Sequence, residues 1–527
     1  MKRLMALGSV LCVKTLAVAL TVGDIYSDHM VLQRGREIPV WGRATPGENV
    51  RVRFAGCERT AQADAKGAWE VRLPAMAMRA EPGVLQVDGA RDVRRFQDVL
   101  VGDVWLVSGQ SNAEMNFGDG VTGGNADKAR AKDYPCVRAV KFLHERALLP
   151  DATVVCGGWV VAEAGTLDGI TAEGYYMARE LNARTGVPIG ILDNNWGGCR
   201  LEPYLPLEAM SGVPGLESMH AKAKEQASRL ASGYWKKKAF AAQDAFIAWA
   251  KRIERRKAAG EEVLNVPAVW HPFNTDYCGQ YNAMIHPITR FPIAGATWYQ
   301  GCSNANDGES YLPKLQALAA SWRKAWGYEF PFYIVQLASF MEPTNDPAGG
   351  NGYAPIRNAQ RKGAMTIPRS GLAVTIDIGN AKDIHPKNKR DVGYRLALWA
   401  RRDVYGEKGL VVSGPVYRDM RAEGNRLVLR FDSTGDGLVA GRRNPDEPGA
   451  RPVPDPDGRL DGFAVAGADR KWVWADAKIE GNDVVVSAKG VPNPVAVRYA
   501  YRANPMGGRL LYNSEGLPAS PFRSDDW

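Results

Sequence analysis

Two periodicities divide the chain. From Leu20 to about Leu100, apolar and polar residues alternate, as in Val50-Arg51-Val52-Arg53-Phe54 and Trp69-Glu70-Val71-Arg72-Leu73, with turns at Pro46-Gly47 and Lys66-Gly67. A period of two predicts half-buried strands, here an N-terminal β-sandwich-like domain over 20–100. From Val101 to about Tyr405, continuous apolar runs alternate with helical spacing, which predicts an α/β domain whose parallel sheet is covered by helices on both faces. Within it, Leu207 to about Ala259 is rich in Ala, Lys and Glu and reads as a helical insertion. Phe246, Trp249 and Ile253 share one side there, leaving Lys236, Lys237, Lys238, Arg255, Arg256 and Lys257 to face water. After Gly409 short strands return, among them Arg426 to Phe431 and Asp483 to Ser487. They predict a C-terminal β-rich domain over 406–527, interrupted by an exposed Pro- and Asp-rich loop from Asn444 to Arg459.

Four of the apolar runs end in residues that carry chemistry. Val104 to Val107 leads into Ser108-Gly109-Gln110-Ser111-Asn112, a strand closed by glycine with a serine just past its end, where open α/β sheets place their sites. The same position also suits a helix N-cap, so the serine gains meaning only from its companions. Gly190 to Asn195 leads to Trp196-Gly197-Gly198-Cys199, whose glycine pair lets backbone N–H groups approach a ligand. Gly295 to Tyr299 leads to Gln300-Gly301-Cys302-Ser303-Asn304, whose uncharged amides are donors suited to an oxyanion. The fourth, Asp377 to Pro386, offers His385 and two candidate carboxylates. Asp383 lies two residues before the histidine, and Asp377 ends a predicted strand, Ala373 to Ile376; a helix follows from Lys387 to Leu398, with Val392, Leu396 and Trp399 on one face.

A serine hydroxyl needs a base, and imidazole, with an ordinary pKa of about 6.5, serves near neutrality. The expected roles are Ser111 as nucleophile, His385 as base, and Asp383 as orienting acid, with Asp377 or an unassisted Ser-His dyad as alternatives. Oxyanion donors are expected from the Ser111 N–H, from Gly198 or Gly197, and from the amide of Asn304 or Gln300. His29, His144, His220, His271 and His286 are assigned structural or solvated roles.

These blocks resemble the sialate O-acetylesterase family of SGNH-type hydrolases. The family's Gly-Gln-Ser-Asn-Met-Glu stands here as Gly109 to Glu114 with Ala113 for Met, and its Trp-Gly-Gly-Thr as Trp196 to Cys199. Its Met-Ile-His-Pro is Met284 to Pro287, and its Trp-Tyr-Gln-Gly-Glu-Ser-Asn is Trp298 to Asn304 with Cys302 in place of Glu. Asp-Ile-His-Pro-x-Asn-Lys is intact from Asp383 to Lys389. The resemblance runs from Ser27 to Pro518 and implies an SGNH-hydrolase-like catalytic domain over 101–405. It also implies an esterase that removes O-acetyl groups from carbohydrates, foremost O-acetylated sialic acid. Acetylated xylan or another polysaccharide is the alternative substrate, and a catalytically silent glycan-binding protein the alternative of another class. Exchanging Glu for Cys302 removes a charge near the site, which implies either altered substrate preference or weaker catalysis.

The 527 residues, 45% hydrophobic and 24% charged, fit a soluble globular chain of two or three domains. There is no His-Glu-x-x-His, no paired Cys-x-x-Cys and no phosphate loop in context, so no metal or nucleotide cofactor is expected. Met1-Lys2-Arg3, an apolar stretch and Ala17-Val18-Ala19 read as a secretory signal cleaved near Ala19, which predicts a secreted or periplasmic protein without a membrane span. The net charge of +9 falls to +6 without Lys2, Arg3 and Lys14; this attracts carboxylated sugars but does not call for nucleic acid. No feature sets an oligomeric state. Without Cys12 six cysteines remain; Cys136 with Cys156 is the first expected pair, and Cys199 with Cys302 another.

Overall fold

A 17-residue strand, Val93–Gly109, passes through two units of the fold. The computed structural model describes residues 19–233, 243–244, 247–248, 250–251, 253–255, 258 and 277–527. The signal read at the amino terminus up to residue 18, Lys236 to Lys238, Phe246, Trp249, Arg256, Lys257 and His271 lie outside the described residues. In its first half the long strand pairs antiparallel with Arg79–Asp88 and parallel with Val31–Gln33. Asn49–Phe54 joins Arg79–Asp88 and forms a hairpin with Cys57–Gln62. The strict alternation of buried and exposed residues along Asn49–Phe54 matches its sequence pattern. A separate three-stranded sheet of Thr21–Val22, Ile38–Arg43 and Ala68–Leu73 accompanies them.

In its second half the same strand becomes the centre of a parallel sheet. The spatial order is Val137–Lys141, Ile189–Asn195, Val93–Gly109, Gly295–Tyr299, Phe332–Val335 and Ser370–Ala373, with Val160–Val161 antiparallel at the edge. Every residue of Ile189–Asn195 and Gly295–Tyr299 is buried, as expected of strands covered on both faces. Ala172–Thr185 and Lys389–Asp403 pack together on one side of the sheet, and Tyr311–Trp326 and Ala354–Thr366 on the other. Val392 and Leu396 point into the core and Trp399 is half-buried, as their helical spacing predicts.

Leu207 opens a short 3₁₀ turn, and Glu217–Ala231 is an α-helix; the rest of the region read as a helical insertion is described only at scattered helical residues. After the last helix the chain forms antiparallel sheets of five, four and three strands, so the fold is an α/β core with β-rich units before and after it. No helix among the described residues is long and apolar enough to cross a membrane.

The expected disulfides do not form: all six described cysteines are free. Cys136 immediately precedes Val137–Lys141, whereas Cys156 bridges to Phe142 beyond that strand's far end. Six residues of extended chain span roughly 20 Å, several times the reach of a disulfide. The Cys199 thiol is directed to the Gly109 carbonyl at 3.5 Å, and the Cys302 thiol neighbours Tyr353 instead.

Candidate active site

Register brings the sequence blocks together. Gly109 aligns with Asn195 on one side and with Tyr299 on the other, so the residues that follow all three strands emerge at one edge of the sheet. Ser111 opens the short helix Ser111–Glu114, and its Oγ lies 2.8 Å from His385 Nε2. With the imidazole proton on Nδ1, the hydroxyl donates to Nε2, the arrangement a general base requires. His385 sits on a loop anchored to the serine helix, because Asn112 Nδ2 donates to the Ile384 carbonyl at 2.9 Å. Asn112 is held in turn by buried Lys389, whose Nζ donates to its Oδ1 at 2.7 Å. Burial pushes the Lys389 ammonium down to about 8, against the attraction of Glu173.

Asp383 is placed differently from a buried triad acid. Its Oδ1 accepts the His385 backbone N–H at 2.8 Å and lies 3.5 Å from His385 Nδ1, while Lys387 Nζ is 3.8 Å from its other oxygen. Both side chains are more than a third exposed, so solvent screens the pair. The alternative acid, Asp377, is engaged elsewhere: fully buried, it forms a two-pronged ion pair with Arg395 at 2.7 Å on each oxygen.

The glycine turn is pressed against the serine. A Cβ on Gly197 would lie 3.5 Å from Ser111 Cβ, and Gly198 has φ +71°, a conformation that suits glycine. The Gly197 N–H donates to Glu114 Oε2 at 2.6 Å. The N–H groups of Ser111 and Gly198 have no acceptor among the described residues, which leaves them available to an oxyanion.

The two side-chain amides expected as oxyanion donors are committed elsewhere. Gln300 is fully buried; its Nε2 donates to the Cys199 carbonyl at 3.1 Å and to Asn304 Oδ1 at 2.8 Å, while Tyr311 donates to its oxygen. Asn304 Nδ2 donates to both Glu202 oxygens and to Asp307 Oδ2. Each amide has two N–H bonds, and in both residues these are spent on the scaffold. Asn304 and Gln300 therefore brace the turn from below, together with Glu202, Arg200 and Lys314. Burial raises the Glu202 carboxyl, but hydrogen bonds from Arg200, Lys314 and Asn304 outweigh it and hold the group at about 2.

Other residues hold positions their sequence context did not disclose. Glu114 also accepts from His144 Nε2 at 2.7 Å, and the His144 ring stacks on Trp196 with centroids 4.6 Å apart. His286 lies away from the serine, lining a cavity of about 400 Å³ with Leu207, Glu208 and Tyr281. Its Met-Ile-His-Pro block supports the sheet instead, since the Met284 carbonyl accepts from Asn194 Nδ2 at 2.7 Å. Cys302, where the resembled family has Glu, neighbours Tyr353, Arg357 and Lys389; burial raises its thiol, so no anion stands there at neutral pH.

No family model matches the chain. A carbohydrate acetylesterase from Xanthomonas citri, known from its crystal structure, is 35% identical, superposes with a TM-score of 0.78, and covers 96% of this chain and 100% of its own. The chain belongs to a sialate O-acetylesterase-like family. Sialate O-acetylesterase from Mus musculus is 28% identical over 448 residues, 77% of either chain. Sialate O-acetylesterase from Pongo abelii is 24% identical over 540 residues, 94% of this chain and 91% of its own. As a member of this family the chain is a carboxylic ester hydrolase.

Proposed function

We propose that this chain removes O-acetyl groups from carbohydrates, with O-acetylated sialic acid as its leading substrate, by a serine acyl-enzyme mechanism. The observation that carries the reading is the 2.8 Å contact between Ser111 Oγ and His385 Nε2 beside two backbone N–H groups that have no acceptor among the described residues. Ser111 attacks the acetyl carbonyl as His385 takes its proton. The Ser111 and Gly198 N–H groups meet the oxyanion, and His385 returns the proton to the departing sugar hydroxyl. Water, activated by the same histidine, then releases acetate from the acyl-enzyme. Asp383 orients and partly neutralises the imidazolium from a solvated position. Export, which the pattern from Met1 to Ala19 predicts, places this reaction outside the cytoplasm.

The test is acetate release from 9-O-acetylated sialic acid and from acetylated xylan, with Ser111→Ala run alongside. Release from the sialic acid that vanishes in the variant supports the reading as stated, and release from xylan alone moves the substrate to polysaccharide. Activity surviving in Ser111→Ala refutes the mechanism. Full-length protein that binds acetylated glycan but releases no acetate is the result expected of a silent binding protein.

A further inference from the structure

Beside the Ser111–His385 pair lies a second carboxylate–imidazole pair that the acyl-enzyme chemistry does not use. Glu114 is three residues after the serine, on the same helical turn, and its two oxygens have separate partners. Oε2 accepts the Gly197 N–H at 2.6 Å; Oε1 accepts from His144 Nε2 at 2.7 Å and lies 3.7 Å from Lys141 Nζ. His144 then returns to the same turn, its ring parallel to Trp196 within 7°, and the Arg146 guanidinium lies 4.5 Å from the centre of that indole. Trp196 is tied to the nucleophile strand by its own N–H, which donates to the Gly109 carbonyl at 3.1 Å.

Resting on the serine-esterase reading above, we propose that Glu114, braced by His144, is the positioning residue of the oxyanion hole. A peptide N–H points in one direction only. Drawing the Gly197 N–H onto Glu114 fixes the plane of the 196–197 peptide, and the torsions of Gly197 set the next N–H, that of Gly198, which has no acceptor among the described residues and is free for the oxyanion. Without the carboxylate the glycine pair is held on the serine side only through its flanking residues, Trp196 and Cys199, which bond to the Gly109 carbonyl, and a donor that wanders loses most of the value of preorganisation.

The arrangement also answers an electrostatic objection. A bare carboxylate beside a developing oxyanion raises the barrier, but here His144 and Lys141 face Glu114, with Asp193 bonded to Lys141 behind them. Burial raises the Glu114 carboxyl, yet the His144 hydrogen bond and the Lys141 charge outweigh it, so the group stays ionised and its charge is spread over the pair. The His144 ring is 39% exposed, so the outer end of the pair is open to solvent.

The experiment compares Glu114→Ala, Glu114→Gln, His144→Phe and Ser111→Ala in the full chain. It measures kcat and KM on an acetate ester, inhibition by ethylboronic acid, which mimics the tetrahedral state on serine, and thermal midpoint. Glu114→Ala is expected to lose about a hundredfold in kcat with KM within about twofold, and to bind the boronate correspondingly less well. Glu114→Gln, which keeps an oxygen for the Gly197 N–H, loses less. His144→Phe, which keeps the stack on Trp196 but no longer donates to Glu114, falls between. A merely structural role would lower the thermal midpoint and leave the kcat and boronate affinity of the folded fraction unchanged, which overturns the proposal. Should Glu114→Ala fail to fold, wild-type kcat in both Glu114→Gln and His144→Phe overturns it equally. Activity retained by Ser111→Ala instead overturns the serine-esterase reading on which the proposal rests.

Discussion

Replacing Asp383 with asparagine removes one charge and little else, because the amide oxygen still accepts the His385 backbone N–H that shapes the loop. What is lost is the attraction between the carboxylate and the imidazolium that forms as Ser111 attacks. At the observed 3.5 Å separation this is worth about 1 kcal/mol in a water-like medium and about 5 kcal/mol at an effective dielectric near 20. With 37% of the histidine and 39% of the aspartate side chain exposed, and Lys387 competing for the carboxylate, the lower end applies, about 1–2 kcal/mol. The expected result is a loss of about five- to thirtyfold in kcat/KM for Asp383→Asn, measured on an acetate ester under steady state. A buried triad acid costs about ten-thousandfold when its charge is removed. A loss beyond a thousandfold would refute the solvated-acid argument, and no loss at all would reduce the site to a dyad.

Three further outcomes follow from the surroundings of the site. Glu202, lowered from 4.5 to about 2 in the folded chain, contributes stability that is present above pH 4.5 and is lost as pH falls towards 2, about 3 kcal/mol in all; denaturant unfolding at pH 7 and pH 2.5 should show a smaller drop in Glu202→Gln. Glu173 is fully buried with neither oxygen hydrogen-bonded among the described residues, and burial lifts it to about 8, so the native state holds a proton that the unfolded chain releases and stability declines between pH 4.5 and 8. Glu173→Gln should flatten that decline, read from thermal midpoints at pH 5 and pH 8. Gly198→Ala meets no neighbour within 4 Å but forces alanine to φ +71°, so a loss of about 1–2 kcal/mol in unfolding free energy, with reduced kcat, is expected; unchanged stability would show that the turn relaxes.

What the sequence disclosed about the site follows the reach of its signals. Continuous apolar runs ending in Gly109, Asn195 and Tyr299 marked parallel strands, and since parallel strands end on one side of a sheet, the serine, the glycine pair and the histidine loop were recognisable as neighbours. The roles of the amides were not legible. Gln300 and Asn304 sit where donors to a ligand belong, but their acceptors, the Cys199 carbonyl and Glu202, lie about a hundred residues away, and only the fold shows that their N–H bonds are taken. Glu114 carried a faint signal, for three residues along a helix returns a side chain to the serine's side. His144 carried none, because its stretch is charged and its partners come from two other segments. The same limit explains the misplaced disulfide, since proximity in sequence across an extended strand becomes distance in space.

The long strand from Val93 to Gly109 has a mechanical consequence. It is hydrogen-bonded to the amino-terminal strands along its first half and to the catalytic sheet along its second, and the serine follows immediately at its tip. A hinge between the two units would have to break a continuous ladder, so they transmit load as one beam and the nucleophile cannot drift relative to either. Gly102 marks the joint, where the backbone passes so close to Pro188 that a Cβ would overlap the Pro188 carbonyl oxygen. Excision of the amino-terminal unit would therefore not yield a smaller enzyme. It would strip the pairing partners from half of the strand that aims the serine, and the severed edge would be left to find partners on another molecule.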